Sequence, residues 1–201
     1  SLYGSRTRTA GLKGKDAAYG FEFVYPNDFL SADFRNLTIG ENYNPALGFV
    51  PRTGVRINSS RLEFGPRPRF WGIRQLTFGV TYQDYYDLVN HGSETTRIQV
   101  TPLELQFNSG DRIQYSWNPN FEQLFEPFEI RDDVSIPVGR YWTGMHRINA
   151  FTSGSRPFSV RLDLETGGFY SGTRKQAGVD LSWRKNSHLS TTVNVEQNWV
   201  R

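Results

Sequence analysis

In RQLTFGVTYQD, residues 74–84, the apolar side chains Leu76, Phe78, Val80 and Tyr82 alternate with Gln75, Thr77, Gly79, Thr81 and Gln83. A period of two sends successive side chains to opposite faces of a strand, whereas a helix needs apolar residues at i, i+3, i+4 and i+7. The same alternation recurs in PFSVRLDLE, where Phe158, Val160, Leu162 and Leu164 oppose Ser159, Arg161, Asp163 and Glu165. It returns in AGVDLSWR through Val179, Leu181 and Trp183, and in LSTTVNVEQNW through Leu189, Val193, Val195 and Trp199. Further strands are expected at Tyr19–Tyr25, Val55–Phe64, Ile98–Phe107, Ile113–Trp117 and Trp142–Phe151. The chain therefore reads as all-β, with about nine or ten strands.

The punctuation between these runs is that of hairpins: NHGSE, NSGD, TSGSRP, ETGGFYSG and KNSH. One change of parity is informative. Ile98 and Val100 share a face, but beyond Pro102 the apolar residues are Leu103, Leu105 and Phe107. Proline cannot donate to a ladder, so a bulge or strand end is expected there. A single domain over 1–201 is expected, with the Gly-rich and basic residues 1–17 loose. One short helical spacing stands out, Phe121, Leu124, Phe125 and Phe128, which could form an amphipathic turn in a lumen or at a membrane surface, or pack as a simple loop.

Composition removes several function classes. Cysteine is absent, so no disulfide framework, thiolate nucleophile or cysteine metal cluster is available. The 23 basic and 20 acidic residues balance to a net charge of +3, too even for a phosphate-tracking stripe, so no nucleic acid partner is expected. No stretch approaches the roughly 20 apolar residues of a membrane helix, and none reads as a signal peptide. A β-barrel stays open, because its strands need only about 9–11 residues with every second one apolar.

Three readings compete: a membrane barrel, a soluble β-sandwich that binds carbohydrate or another partner, and an outer-membrane hydrolase. A sandwich also alternates. Sign-mixed charge at mid-strand favours a wet lumen, with Arg161, Asp163, Glu165, Asp180, Arg184 and Glu196 as candidate lumen-lining residues. Tyr82, Tyr85, Trp117, Tyr141, Trp183 and Trp199 fall near the ends of apolar runs, where amphipathic rings sit at headgroup level. A hydrolase would need His91, His146 or His188 beside a serine and an orienting group, and neither VNHGSE nor RKNSHLS offers workable spacing. The acidic residues Glu122, Glu126, Glu129, Asp132 and Asp133 lack the alternate-ligand calcium loop. No catalytic residue, metal site or cofactor is expected.

ENYNPALGFVPRTGVRINSS, residues 41–60, concentrates turn chemistry just before a strand. Asn44 and Pro45 initiate a turn, Gly48 permits tight backbone, Phe49 is expected to anchor it, and Arg52 to pair with an acidic neighbour. The stretch would fix where the next strand begins. Stacking of Tyr43 and Phe49 on a sugar is a minor alternative.

From YNPALGFVPRTG onward, through SGDRIQYSW, EQLFEPFEI, IPVGRYW and GGFYSGTRKQAGVDLSWRKNSHLSTTVNVEQN, the chain resembles a bacterial family of unknown function. Members of that family join a family-9-like carbohydrate-binding module to a C-terminal outer-membrane β-barrel, and the likeness covers roughly three quarters of this chain. The resemblance implies an antiparallel up-and-down, outer-membrane type β-barrel, or a contiguous part of one. It implies a location in the bacterial outer membrane, membrane lipid as a partner, and a role as anchor or conduit coupled to surface carbohydrate. Family members continue with more strands beyond the point matching NWVR. The edges of the sheet are therefore expected to meet additional strands, from missing sequence or another chain, rather than each other.

Overall fold

The computed structural model describes residues 1–201 other than Leu47, Asp132, Asp133 and Ser171, and of Ile130, Arg131 and Val134 the backbone alone. Its strands are β1 (Leu2–Arg6), β2 (Ala17–Tyr25), β3 (Leu30–Ile39), β4 (Val55–Phe64), β5 (Ile73–Asp87), β6 (Gly92–Phe107) and β7 (Arg112–Leu124). They continue as β8 (Phe128–Arg131), β9 (Val134–Ile136), β10 (Gly139–Phe151), β11 (Phe158–Phe169), β12 (Gly172–Arg184) and β13 (Ser190–Val200). Among the described residues there is no helix. Eleven strands form one sheet in the order β1-β2-β3-β4-β5-β6-β7-β10-β11-β12-β13, and β8 and β9 form a separate two-stranded ribbon.

Every pairing is antiparallel, and each joins chain neighbours except that of β7 with β10, between which the ribbon is inserted. This is the architecture of an up-and-down β-barrel or part of one, and it is not closed. Among the described pairings β1 contacts only β2, and β13 only β12. Strand direction alternates through eleven strands, so β1 and β13 run the same way. One end of the sheet carries the long connections 7–16, 40–54 and 125–138, while none at the other end is longer than that at 65–72.

Several expectations need correction. Residues 2–6 are not loose, because β1 pairs with β2 from Leu2↔Phe21 to Arg6↔Ala17. The sequence pattern gives no sign of β3. Its apolar residues change parity between Phe34 and Leu37 without a bulge, and Asp33, Arg35 and Asn36 fill the gap. The spacing at 121–128 is not helical: Phe121 and Leu124 belong to β7 and Phe128 to β8. Pro127 would remove a donor from any helix, and Phe121 instead packs on Trp142 across the ladder at 5.1 Å. ETGGFYSG is mostly strand, since β11 runs to Phe169 and β12 starts at Gly172. The parity change at Pro102 is a bulge, as both ladders of β6 shift register across it.

Among the described residues an apolar core is nearly missing. The buried hydrophobic ones among them are Ile39, Val55, Ile73, Ile136 and Met145, and they are outnumbered by buried polar ones including Glu104, Ser116, Thr95 and Thr101. Large apolar side chains stand outside: Phe158 is 69% exposed, Trp142 65% and Val195 61%.

Candidate functional site: the polar face of the sheet

The register sorts side chains into two continuous faces. Arg161 lies opposite Asp180, which lies opposite Asn194; Asp163 faces Gly178, and Gly178 faces Glu196. Glu165 and Arg184 share this parity, so all six candidate lumen-lining residues occupy one face. The same face runs on through Arg147 and Asn149 of β10, Gln114 and Ser116 of β7, and Glu104 of β6. It continues to Arg61 of β4, Arg35 of β3 and Glu22 of β2.

Charges on this face pair across strands. Glu165, its side chain only 8% exposed, sits between Arg147 Nη2 at 2.8 Å and Arg174 Nη2 at 2.6 Å. Asp163 accepts from Asn149 Nδ2 at 2.6 Å and lies 3.5 Å from Arg147 Nε. Further along, Glu104 accepts from Gln106 at 2.7 Å and lies 3.5 Å from Arg112 Nη1, whose guanidinium covers the Phe151 ring. Arg61 pairs with Glu63 at 3.0 Å, and Glu22 pairs with Arg35. Asp180 accepts from Asn194, and Glu196 accepts from Asn198 at 2.7 Å. Arg161 and Arg184 are exposed. The partners Arg147, Arg174, Glu104 and Arg112 were not singled out from sequence, although they sit at the polar positions of the same alternation.

Side chains from successive strands enclose space on this face. A cavity of about 890 Å³ toward the short-turn end is bounded by Ser31, Arg61, Gln75, Thr77, Glu104 and Arg112, so the sheet curves around its polar side. A smaller one of about 280 Å³ lies among Arg97, Glu122, Tyr141, Glu165, Tyr170 and Arg174. Tyr170, in the connection after β11, donates to Glu122 Oε2 at 2.8 Å. Burial and this acidic partner push its phenol up to about 12.

The opposite face is apolar and aromatic. Phe29, Phe64 and Phe78 form a contact series at the short-turn end, with centroids 4.8 and 6.1 Å apart, and Phe158 stacks on Trp183. Tyr19, Phe121, Trp142 and Trp199 lie toward the other end, and Val80, Ile148, Leu162, Val179 and Val193 fill the space between. Tyr82, Trp117, Trp183 and Trp199 lie on this face as expected, but Tyr85 and Tyr141 point to the polar one. Near the long connections of β3 to β6 polarity reverses. Asn36 donates to Asn58 at 2.6 Å and Thr96 to buried Asp84 at 2.9 Å on the outer side, while Ile39 and Val55 turn inward.

The turn at 41–60 is tied down differently from expectation. Gly48 N–H donates to the Pro45 carbonyl at 3.2 Å, and Asn44 N–H to Thr7 Oγ1 at 3.0 Å. Arg52 finds an acidic neighbour in Glu94 at 3.3 Å and covers the Tyr85 ring. Phe49 anchors nothing, being 90% exposed; Tyr43 does the anchoring through its hydroxyl, 2.7 Å from Ser5 Oγ. His91 and His188 lie in exposed turns at opposite ends of the sheet, and His146 Nδ1 meets Tyr115 OH at 2.8 Å on the apolar face. Glu122, Glu126 and Glu129 fall on β7, a connection and β8, and Asp132 and Asp133 lie outside the described residues. Among the described residues no three potential ligands gather as a metal site.

No known family model, curated protein or solved structure matches this chain.

Proposed function

We propose that this chain is part of the wall of a transmembrane β-barrel in a bacterial outer membrane, serving as anchor or conduit. One observation carries the reading: the sheet is inverted relative to a water-soluble fold, with paired charges on the enclosed face and aromatics and aliphatics exposed on the other. In water the exposed face would be an apolar patch far beyond the few hundred Å² a soluble monomer tolerates. Membrane lipid is the partner that suits it. The aromatic residues at both ends fit headgroup girdles, and the longer connections at one end fit the extracellular side. β5 and β6, at 15 and 16 residues, exceed the about 9–11 a bilayer needs, so the polarity reversal near Asp84 belongs to strand beyond the apolar band.

Closure needs additional strands beside β1 and β13, because an open edge in lipid leaves each backbone group unsatisfied at several kcal/mol. Carbohydrate, the partner the family resemblance implies through surface carbohydrate handling, would find ring faces at Tyr141, Phe169 and Tyr170 beside Arg174, Gln176 and Asn198 around a cavity of about 850 Å³ on the enclosed face.

The test is lipid dependence. Diluted from denaturant into phosphatidylcholine vesicles, the chain is expected to float with them and to gain β circular dichroism. A chain folded and monomeric in plain buffer without lipid or detergent would refute the reading.

A further inference from the structure

The connection between β4 and β5, GPRPRFWG at 65–72, ends in an unusual turn. Trp71 and Gly72 both have positive φ, 53° and 67°, and Ile73 N–H donates to the Phe70 carbonyl at 3.1 Å. These features define a type I′ turn, whose first central position favours Asn, Asp or Gly. A bulky tryptophan there is a backbone outlier, and such outliers persist only where surrounding contacts hold them. Here they do. Gly72 O accepts from Asn108 N–H of the next turn at 2.8 Å, Gly65 N–H bonds the Phe29 carbonyl at 2.8 Å, and Leu76 N–H bonds the Pro66 carbonyl at 2.9 Å.

The strain places an indole in the open. Trp71 is 86% exposed, more than any other tryptophan of the chain, and Phe70 meets it edge-on at 5.2 Å. Three arginines surround the pair. Arg67 reaches Asp28 at 2.7 Å and Arg74 reaches Gln106 at 2.8 Å, while Arg69 is exposed. Arg67, Arg69, Phe70, Trp71, Arg74 and Asn108 border a cleft of about 570 Å³. The loop begins directly after Phe64, a member of the Phe29–Phe64–Phe78 series on the apolar face, so it continues that face at its short-turn margin.

We propose that this loop binds the headgroups of anionic phospholipid in the adjoining leaflet, with Trp71 and Phe70 seated at the interface and Arg67 and Arg69 on the phosphates. The assignment rests on the barrel reading. Indole combines an apolar body with a polar N–H suited to that depth, and guanidinium forks match phosphate oxygens. Asp28 opposes the anion but engages one arginine of three.

The chain is folded into phosphatidylcholine vesicles carrying a trace of dansyl-phosphatidylglycerol or dansyl-phosphatidylcholine, and energy transfer from tryptophan reports how often each lipid neighbours the protein. At low salt the glycerol probe is expected to be enriched about five-fold or more, from the attraction of an arginine near a charged surface. Arg67→Gln/Arg69→Gln should abolish that preference, and Trp71→Phe should remove transfer from the glycerol probe out of proportion to one donor in five. Lys185→Gln, on a more distant turn at the same end of the sheet, should leave the preference intact. Equal occupancy by both probes in chain that floats with the vesicles overturns this inference alone, as does an equal loss in Lys185→Gln. Loss of the preference on adding free glycerol phosphate would assign the cleft to a soluble phosphate compound and overturn the lipid assignment. A chain that fails to float and is instead folded and monomeric in plain buffer defeats the barrel reading as well.

Discussion

Leu162→Arg is the substitution that separates a lipid-facing wall from a soluble sheet. Leu162 lies on the apolar face opposite Val179, which lies opposite Val195, and its β10 neighbour is Ala150. It stands four residues into β11 from Phe158, whose stack on Trp183 marks the short-turn girdle. Four residues at about 3.4 Å each, in a strand tilted by about 40°, reach roughly 10 Å below that girdle. An apolar band is about 25 Å tall, so the new charge sits close to its middle, where arginine costs about 2–4 kcal/mol. At about 3 kcal/mol the folding equilibrium falls roughly 150-fold. Ser182→Arg is the matched control, on the enclosed face, where it gives up one hydroxyl contact of 3.0 Å with Thr192, at about 0.5–1 kcal/mol. The assay is reversible urea unfolding from phosphatidylcholine vesicles, comparing midpoints at equal slope. Equal losses at the two positions, or a loss below about 0.5 kcal/mol at Leu162, would refute the assignment of the faces.

Gly167→Ala is expected to destabilise by about 1–3 kcal/mol in the same titration, because its Cβ would press on the Gly144 carbonyl oxygen and lie 2.8 Å from Met145 Cα in the neighbouring strand. Glu165→Gln should cost about 1–2 kcal/mol by weakening its bonds to Arg147 and Arg174, and Glu165→Ala should cost more. An unchanged midpoint would mean that water already replaces the pair. The turn at Asp111 should loosen in acid. Two bonds from Arg156, at 2.8 and 2.9 Å, and the Ser153 amide hold this carboxyl down at about 2, against 3.8 when free. A lowered folded value stabilises at every pH above the free value, and that contribution disappears as pH falls from about 3.8 through about 2. Hydrogen exchange at the Ser153 amide, slow at pH 5 and accelerated beyond the intrinsic trend near pH 2, would report the loss; exchange following the intrinsic trend throughout would contradict it.

Strands that keep one parity were legible in the sequence, because a two-residue period is a local signal that needs no partner to be read. β11, β12 and β13 were readable in this way, and so was the Pro102 bulge, where proline and a parity change coincide. β3 was not, since its apolar residues swap faces between Phe34 and Leu37, and only the flanking ladders of β2 and β4 hold it extended. The polar face was legible as a row of positions, but its pairings were not. Arg147 meets Glu165 only because β10 and β11 slide into one particular register, which alternation alone leaves undetermined. Phe49 misled because a ring in a Pro/Gly-rich turn resembles an anchor, whereas the anchoring contact comes from Tyr43 through β1, a strand hidden among the Gly-rich and basic residues 1–17. Trp71 carried no local signal of strain, since φ is not written in composition.

The shared direction of β1 and β13 limits how such a wall can be completed or diversified. A second copy inserted the same way up would present to β13 an edge running parallel to it, so a ring of identical copies cannot be sealed with antiparallel seams. An antiparallel seal needs an odd number of further strands. Insertion or loss of whole hairpins, the usual unit of change in an up-and-down sheet, alters the count by two and leaves the mismatch in place. A barrel completed from this sheet would therefore need one strand beyond any number of added hairpins, and that strand would decide whether the seams can all be antiparallel.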